Sequence, residues 1–167
     1  MSYMFRSAAA DDYEQVITIF ERAIQNMNES GIYQWDEVYP DKDILLSDIK
    51  KNQMYVLTEG DTILSVIVLN EDQDELYKTA GWKYKQGRIA VIHRLCVNTD
   101  YQNMGIGKAI VRSAEAFLKE KGFGIIRLDA FLQNPYALRM YGSLGYSRAG
   151  EVFFRKGKFC LYEKKLS

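Results

Sequence analysis

VNTDYQNMGIGKAIVRSAEAFLKEKG, residues 97–122, carries the reading of this chain. A β-like run stops at Val97, a polar turn follows, and Gly105 and Gly107 open a long amphipathic helix that Gly122 closes. The first turn of a helix has backbone N–H groups without internal partners and carries roughly half a positive charge. Glycines there keep side chains away from those donors, so a phosphate or pyrophosphate fits. Lys108 and, one turn on, Arg112 add charge. An isolated G-x-G also serves simply to turn and pack the chain. Two phosphate motifs fail at this place. The dinucleotide fingerprint needs glycine or alanine where Ile110 stands. The P-loop needs glycine at Gln102 and a hydroxyl at Ala109.

Outward from this stretch, residues 3–8 read as a strand, and Asp11 can cap a helix from about Asp12 to Met27 with Val16, Ile19, Phe20, Ala23 and Ile24 on one stripe. A turn-rich link leads to a second helix over Lys42 to Lys50. Residues 54–70 read as a hairpin turning at Glu59-Gly60-Asp61. Residues 70–87 read as a polar, irregular loop whose acidic residues Glu71, Asp72, Asp74 and Glu75 form a solvated run. RIAVIHRLCV, ending at Val97, is a central strand, and GIIRLDAF (124–131) is another buried one. NPYALRMYGSLG (134–145) is a helix with Asn134 as cap, Pro135 in its first turn and Gly145 as stop. Short strands close the chain, the last pair turning near Lys156-Gly157. The order β-α-α-β-β-β-α-β-α-β-β, with no repeat or linker, predicts one α+β domain with a mixed sheet.

The bulk numbers exclude several classes. With Lys+Arg 22 against Asp+Glu 22, no global charge recruits nucleic acid or an anionic membrane. No apolar run approaches the ~20 residues of a membrane span, and the first residues lack a signal-peptide core. Cys96 and Cys160 sit in apolar runs and form neither a metal-ligand pattern nor a disulfide framework, which predicts no metal and a cytoplasmic location.

Gln102-Asn103-Met104-Gly105-Ile106-Gly107 resembles the Q/R-x-x-G-x-G/A signature of the GNAT superfamily, the acyl-CoA-dependent N-acyltransferases. VIHRLCV resembles the strand before that loop, and NPYALRMYGSLGY resembles the family's N-x-x-A-x-x-x-Y-x-x-x-G-[FY] segment. The element order matches from about Tyr3 to the C-terminus. The resemblance implies a single GNAT-like domain over residues 3–167, with a central, mostly antiparallel mixed sheet flanked by helices. It implies that the pyrophosphate of coenzyme A sits on the N–H groups of residues 103–108, that is Asn103, Met104, Gly105, Ile106, Gly107 and Lys108, beside Gln102. It also implies that backbone groups of Leu95, Cys96 and Val97 pair with the pantetheine arm, that Asn134 hydrogen-bonds near it, and that acetyl-CoA is the donor. Because Asn103 and Met104 bring no charge, affinity for the phosphates rests on N–H groups and Lys108, and a modest CoA affinity is expected.

Acetyl transfer to an amine needs a neutral amine, donors for the oxyanion and a proton for the departing thiolate. An alkyl amine of pKa ~10 is about a thousandth neutral at pH 7, an apparent barrier of ~4 kcal/mol, so a base helps. The only histidine, His93, has a suitable water pKa of ~6.5 and on a period of two shares a face with Val91, Leu95 and Val97. It is either base or relay, or a histidine hydrogen-bonded within the sheet. Tyr141, two turns beyond Asn134, is the expected acid by resemblance; the alternative is packing with Ala137 and Leu144. The oxyanion donor implied by resemblance is the N–H near Val97.

The acceptor side is read as a wall containing Tyr33, Trp35, Glu37 and, across the opening, Trp82. An aromatic cluster with carboxylates suits a cationic amine; the same aromatics also serve as core around a solvated turn. The sequence thus predicts acetyl-CoA-dependent acetylation of a small-molecule or peptide amine. The alternatives are a catalytically silent acyl-CoA-binding sensor or scaffold of the same fold, and a generic α+β interaction domain. The amphipathic terminal strands offer a homodimer surface.

Overall fold

The protein is described by a computed structural model covering residues 2–36 and 39–167. Among the described residues, seven strands and four α-helices follow the expected order: β1 (Met4–Ser7), α1 (Tyr13–Glu29), α2 (Lys42–Lys50), β2 (Met54–Glu59), β3 (Thr62–Asn70), β4 (Ile89–Val97), α3 (Ile106–Glu120), β5 (Ile125–Phe131), α4 (Pro135–Ser143), β6 (Ser147–Phe154) and β7 (Gly157–Lys165). The chain forms two compact units, Met1–Leu69 with Arg94–Ser113 and Asn70–His93 with Ala114–Ser167. Strand β4 gives its first five residues to the second unit and its last four to the first.

In the first unit β1, β2 and β3 pair antiparallel in that order, from Met4↔Thr58 through Met54↔Val68. Helix α1 buries Val16, Ile17, Ile19, Phe20 and Ala23, four of them on the expected stripe. They pack with Trp35, Leu45, Ile49, Met54 and Val66 in one apolar cluster. Each large side chain so buried contributes about 1.5–3 kcal/mol. The start of α1 differs from expectation. Asp11 does not cap it; a 3₁₀ turn, Ala10–Asp12, precedes the helix, and the Asp12 carboxylate instead accepts from the Ala9 N–H at 2.7 Å. Arg6 holds the same carboxylate through two hydrogen bonds of 2.7 and 3.0 Å. Helix α2 spans the expected residues, and Asp41 caps it by accepting from the Ile44 N–H at 2.9 Å.

In the second unit the order is β4-β5-β7-β6: β4 runs parallel to β5, and the remaining pairs are antiparallel. The fold class is therefore α+β, with mixed and mostly antiparallel strands. The 70–87 loop is less irregular than its composition suggests. It contains a 3₁₀ turn, Glu75–Thr79, capped by Asp74, and it buries Tyr77 and Trp82. Two buried charges pin it. Glu163 on β7 accepts from the N–H groups of Lys83 and Tyr84 at 2.8 and 3.0 Å. Arg127 on β5 donates to Gln73 Oε1 and Tyr84 O at 2.8 and 2.9 Å, and its guanidinium lies 4.2 Å from the centre of the Trp82 ring. Arg127 and Glu163 are register partners, so one point of the β5–β7 ladder anchors the loop. Gly150 completes the fit: a Cβ there would meet the Ala80 Cβ at 3.3 Å, while Gly81 N–H donates to Ala149 O at 2.9 Å. The acidic run is exposed, as expected, with Glu71 paired to Arg88 and Glu75 to Lys78 at the surface and Asp74 capping the turn.

Strand β4 is not regular. Arg94 has φ +47°, a left-handed conformation costing an ordinary residue about 1–2 kcal/mol. The alternation that groups His93 with Leu95 and Val97 holds in an unbroken strand; it extends back to Val91 but not forward across Arg94. Arg94 is fixed by Asp48 of α2, which accepts from Nε at 2.7 Å and from Nη2 at 2.8 Å, and by Tyr39, whose hydroxyl accepts from Nη1 at 2.8 Å. The side chains of this pair are 12% and 7% exposed, a setting where leaving one charge alone costs about 3–5 kcal/mol. That exceeds the backbone strain, so the pair decides the local conformation. Asp48→Ala should lower stability by about 3–5 kcal/mol in urea unfolding, and Arg94→Leu added to it should recover part of the loss. A loss below about 1 kcal/mol for Asp48→Ala would remove the pair as the restraint.

Candidate active site

The helix start behaves as its sequence implies. Asn98 ties the end of β4 down: its N–H donates to Leu64 O at 2.9 Å, its Nδ2 donates to Ile63 O at 3.0 Å, and its Oδ1 accepts from the Asp100 N–H at 3.1 Å. A 3₁₀ turn, Thr99–Tyr101, leads to Gln102, whose Oε1 accepts from Asn26 of α1 at 3.2 Å. Asp100 pairs with Arg22 on the same helix at 2.8 Å. The chain then passes through two left-handed residues, Asn103 at φ +62° and Gly105 at φ +76°. Asparagine tolerates that region better than most side chains, and glycine does so without cost. A Cβ at Gly105 would meet nothing within 4 Å, so the space over this residue is open. Helix α3 has no acidic residue in its first turn, and Lys108 and Arg112 are exposed on it. Ile106 is buried while Gln102, Asn103, Met104 and Gly105 are exposed. The loop is thus anchored from beneath and presents backbone outward. Cys96 is buried in the apolar cluster, and burial pushes its thiol pKa up, so it is an inert core residue whose backbone alone is available for recognition.

In the second unit, α4 is fixed at both ends. Asn134 Oδ1 accepts from the Ala137 N–H at 3.2 Å, and Lys164 donates to Leu144 O at 2.7 Å just before Gly145, at φ +91°. Lys164 also pairs with Glu115, which accepts from the Tyr146 hydroxyl at 2.8 Å. Tyr141 is thereby held edge-on to Tyr146, ring centres 5.5 Å apart, and 6.0 Å from Tyr162. It is 5% exposed; burial, then the Asp129 carboxylate, pushes its pKa up. Tyr77 is shifted the same way by burial and by Asp129, to which it donates at 2.6 Å. His93, half-buried, has Nε2 2.8 Å from Asn70 Oδ1. That oxygen also accepts from the Asp72 N–H at 3.0 Å, which fixes the orientation of the amide. Nε2 therefore carries the proton, and the basic nitrogen of the neutral ring is Nδ1.

The description Acetyltransferase (GNAT) family fits a family model matching residues 17–146. The chain belongs to this family. A curated relative, S-(2-succino)cysteine N-acetyltransferase of Bacillus subtilis (strain 168), is 27% identical over 169 residues, covering 99% of this chain and 96% of that protein. Among solved structures, a GNAT acetyltransferase of Streptococcus agalactiae superposes with TM-score 0.87 at 18% identity, over 99% of this chain and 96% of that one. The PaiA N-acetyltransferase of Thermoplasma acidophilum, solved with coenzyme A, gives 0.71 at 22% identity, over 99% of both chains.

The expected acceptor residues of this GNAT protein are differently placed. Tyr33 is 56% exposed, whereas Trp35 is buried against Phe20 with ring centres 5.4 Å apart. Trp82 is buried too, donating from its indole to Tyr77 O at 2.7 Å. Both tryptophans are buried. Glu37 lies outside the described residues. The first unit carries a cavity of about 390 Å³ lined by Ile17, Phe20, Ile24 and Leu45, with Glu21 and Asp36 among its polar lining. Sequence reasoning passed over Asn70, Tyr77 and Asp129. Arg127 and Asp129, two residues apart in an otherwise apolar strand, were the available signal, since buried polar groups require partners. Among the described residues no group of three or more His, Cys, Asp or Glu side chains is placed to hold a metal ion, and no helix is long and apolar enough to cross a membrane.

Three of the buried phenols set an alkaline limit. Tyr77, Tyr141 and Tyr146 all have raised pKa values, with burial as the first cause. Below pH ~10 folded and unfolded chains both keep these protons and the shifts have no effect. Above it the unfolded chain releases them and the folded chain does not, so stability falls as pH rises, by roughly 4 kcal/mol per pH unit for the three. Urea unfolding at pH 9, 10.5 and 11 should show this slope, and Tyr146→Phe should reduce it by about a third.

Proposed function

We propose that this GNAT protein transfers an acetyl group from acetyl-CoA to a primary amine by direct attack in a ternary complex. The observation that carries the reading is the open space over left-handed Gly105 at the start of a helix without an acidic first turn. Such a helix start receives an anion, and the residues present fit a pyrophosphate. The naming of the Bacillus subtilis relative as an N-acetyltransferase and the coenzyme A in the Thermoplasma acidophilum structure support it.

When bound, acetyl-CoA supplies an activated acyl group on sulfur. The amides of residues 103–108 hold the diphosphate, with Lys108 adding charge, and the backbone of Leu95, Cys96 and Val97 aligns the arm. Gln102, tied to Asn26, braces the loop, and Asn134 holds the start of α4. Tyr141 gives its proton to the departing sulfur. Because burial keeps the phenol neutral, it is a donor across the neutral range, and the transfer proceeds as charge builds on sulfur. His93 receives the acceptor's proton at Nδ1. In the first unit, the cavity beside α1 offers Glu21 and Asp36 to a cationic group, and exposed Tyr33 is a further acceptor contact.

Release of free thiol from acetyl-CoA across a panel of amines, with CoA binding followed by calorimetry, tests the assignment. Turnover with at least one primary amine is expected. Binding without thiol release would support the silent sensor instead, and absence of binding would overturn both. Tyr141→Phe should lower kcat by roughly 10²-fold while leaving the Kd for CoA within about threefold. Wild-type turnover in that variant would remove the phenol from the mechanism.

A further inference from the structure

His93 and Asp129 stand at the end of the parallel β4–β5 ladder. The register runs Ile89↔Ile125, Ala90↔Ile126, Val91↔Arg127 and Ile92↔Leu128, and His93 and Asp129 are the next residues on the two strands. Neighbouring strands lie about 4.8 Å apart, and paired residues turn their side chains to one face of the pleat. One segment grips both groups. Asn70, at the start of the 70–87 loop, accepts from His93 Nε2–H at 2.8 Å, and Tyr77, in its 3₁₀ turn, donates to Asp129 Oδ2 at 2.6 Å. A phenol donating to a carboxylate favours its charged form.

Other charged or titratable groups of the described residues pack at this end. From β5 comes Arg127, whose charge is offset by nearby Glu163 on β7. From the loop comes Tyr77 and from α4 Tyr141, both phenols that burial keeps neutral. Tyr141 lies close enough to Asp129 to be influenced by its charge. Asp129 carries the carboxylate that directly follows the last register pair on β5, as His93 does on β4.

We propose that Asp129 is the charge partner of His93, strengthening the imidazole as a base for the acceptor amine and stabilising the imidazolium formed. This rests on the reading of His93 as base. In the step, an N–H bond of the acceptor's ammonium breaks, an Nδ1–H bond forms on His93, and the amine lone pair is left for attack. Against an amine of pKa ~10, an imidazole near ~6.5 takes the proton uphill by roughly three and a half units, and a partner charge worth about one unit makes that form about tenfold more populated. Asp129 is a positioning and electrostatic residue here, with Tyr77 and Asn70 fixing the geometry.

The chain has one histidine, so ring NMR reports His93 alone. Titrate the full protein, without coenzyme or acceptor, as wild type and as Asp129→Asn. The midpoint should fall by about one pH unit in the variant. A midpoint unchanged within about 0.2 unit overturns the pairing, whatever the kinetics. If Asp129→Asn does not give a folded spectrum, Asp129→Thr, neutral and strand-favouring, replaces it. The acidic limb of kcat/KM for an amine found in the panel separates the two readings. A limb that moves with the NMR midpoint supports both. A shifted midpoint with an unmoved limb leaves the electrostatic pairing standing and overturns the catalytic role of His93.

Discussion

Arg94 sits in a left-handed conformation in mid-strand, and Asp48 makes that tenable. A buried guanidinium–carboxylate fork tolerates little distortion, because either charge without the other is more costly than the strain it holds. The result is a strand whose two ends follow different geometries. Ahead of the break, β4 keeps a regular parallel ladder with β5 as far as Ile92. Beyond it, the chain reaches Asn98, whose side chain and N–H bind it back to β3, and then the glycine-bearing loop. The link carrying Tyr39 is fastened to the same guanidinium, so the α1–α2 connection and the break in β4 share one anchor.

The second unit solves a different problem, that of keeping polar groups in a largely apolar place. Four such groups have counterparts from far along the chain: Glu163 with the amides of 83 and 84, Arg127 with Gln73 and Tyr84, Asp129 with Tyr77, and Glu115 with Lys164 and Tyr146. Arg127 Nε is buried and has no hydrogen-bond partner among the described residues. These contacts make the surroundings of Tyr141 stiff and low in dielectric. A phenol in such a place is a proton reservoir rather than a charge.

The order of elements and the class of the fold were legible because they rest on local periodicity and turn chemistry. The stripe on α1, the limits of α2, the Gly60 turn and the Asn134-Pro135 helix start all follow from near neighbours. The glycine loop was legible for the same reason. What escaped reading depends on distant partners. Nothing in HRL announces a left-handed arginine, since its cause, Asp48, lies 46 residues earlier. The 70–87 loop is exposed along most of its length, as its composition suggests, but the burial of Tyr77 and Trp82 within it depends on partners in β5 and β7. Trp35 reads as wall or as core and Trp82 as the border of an opening, and the burial of both rests on partners distant in the sequence or in the loop. Asp11 and Asp12 are adjacent carboxylates, and Arg6 selects the second.

The anchoring of the 70–87 segment at Arg127 and Glu163 gives it the character of an exchangeable cassette. Its fastening points lie on strands that need not change, while the amide and the phenol it delivers travel together within it. Grafting a different segment onto the same two charges would alter the polar surroundings of His93 and Asp129 at a single stroke. Diversification among chains of this architecture can therefore proceed through one short stretch without disturbing the scaffold beneath.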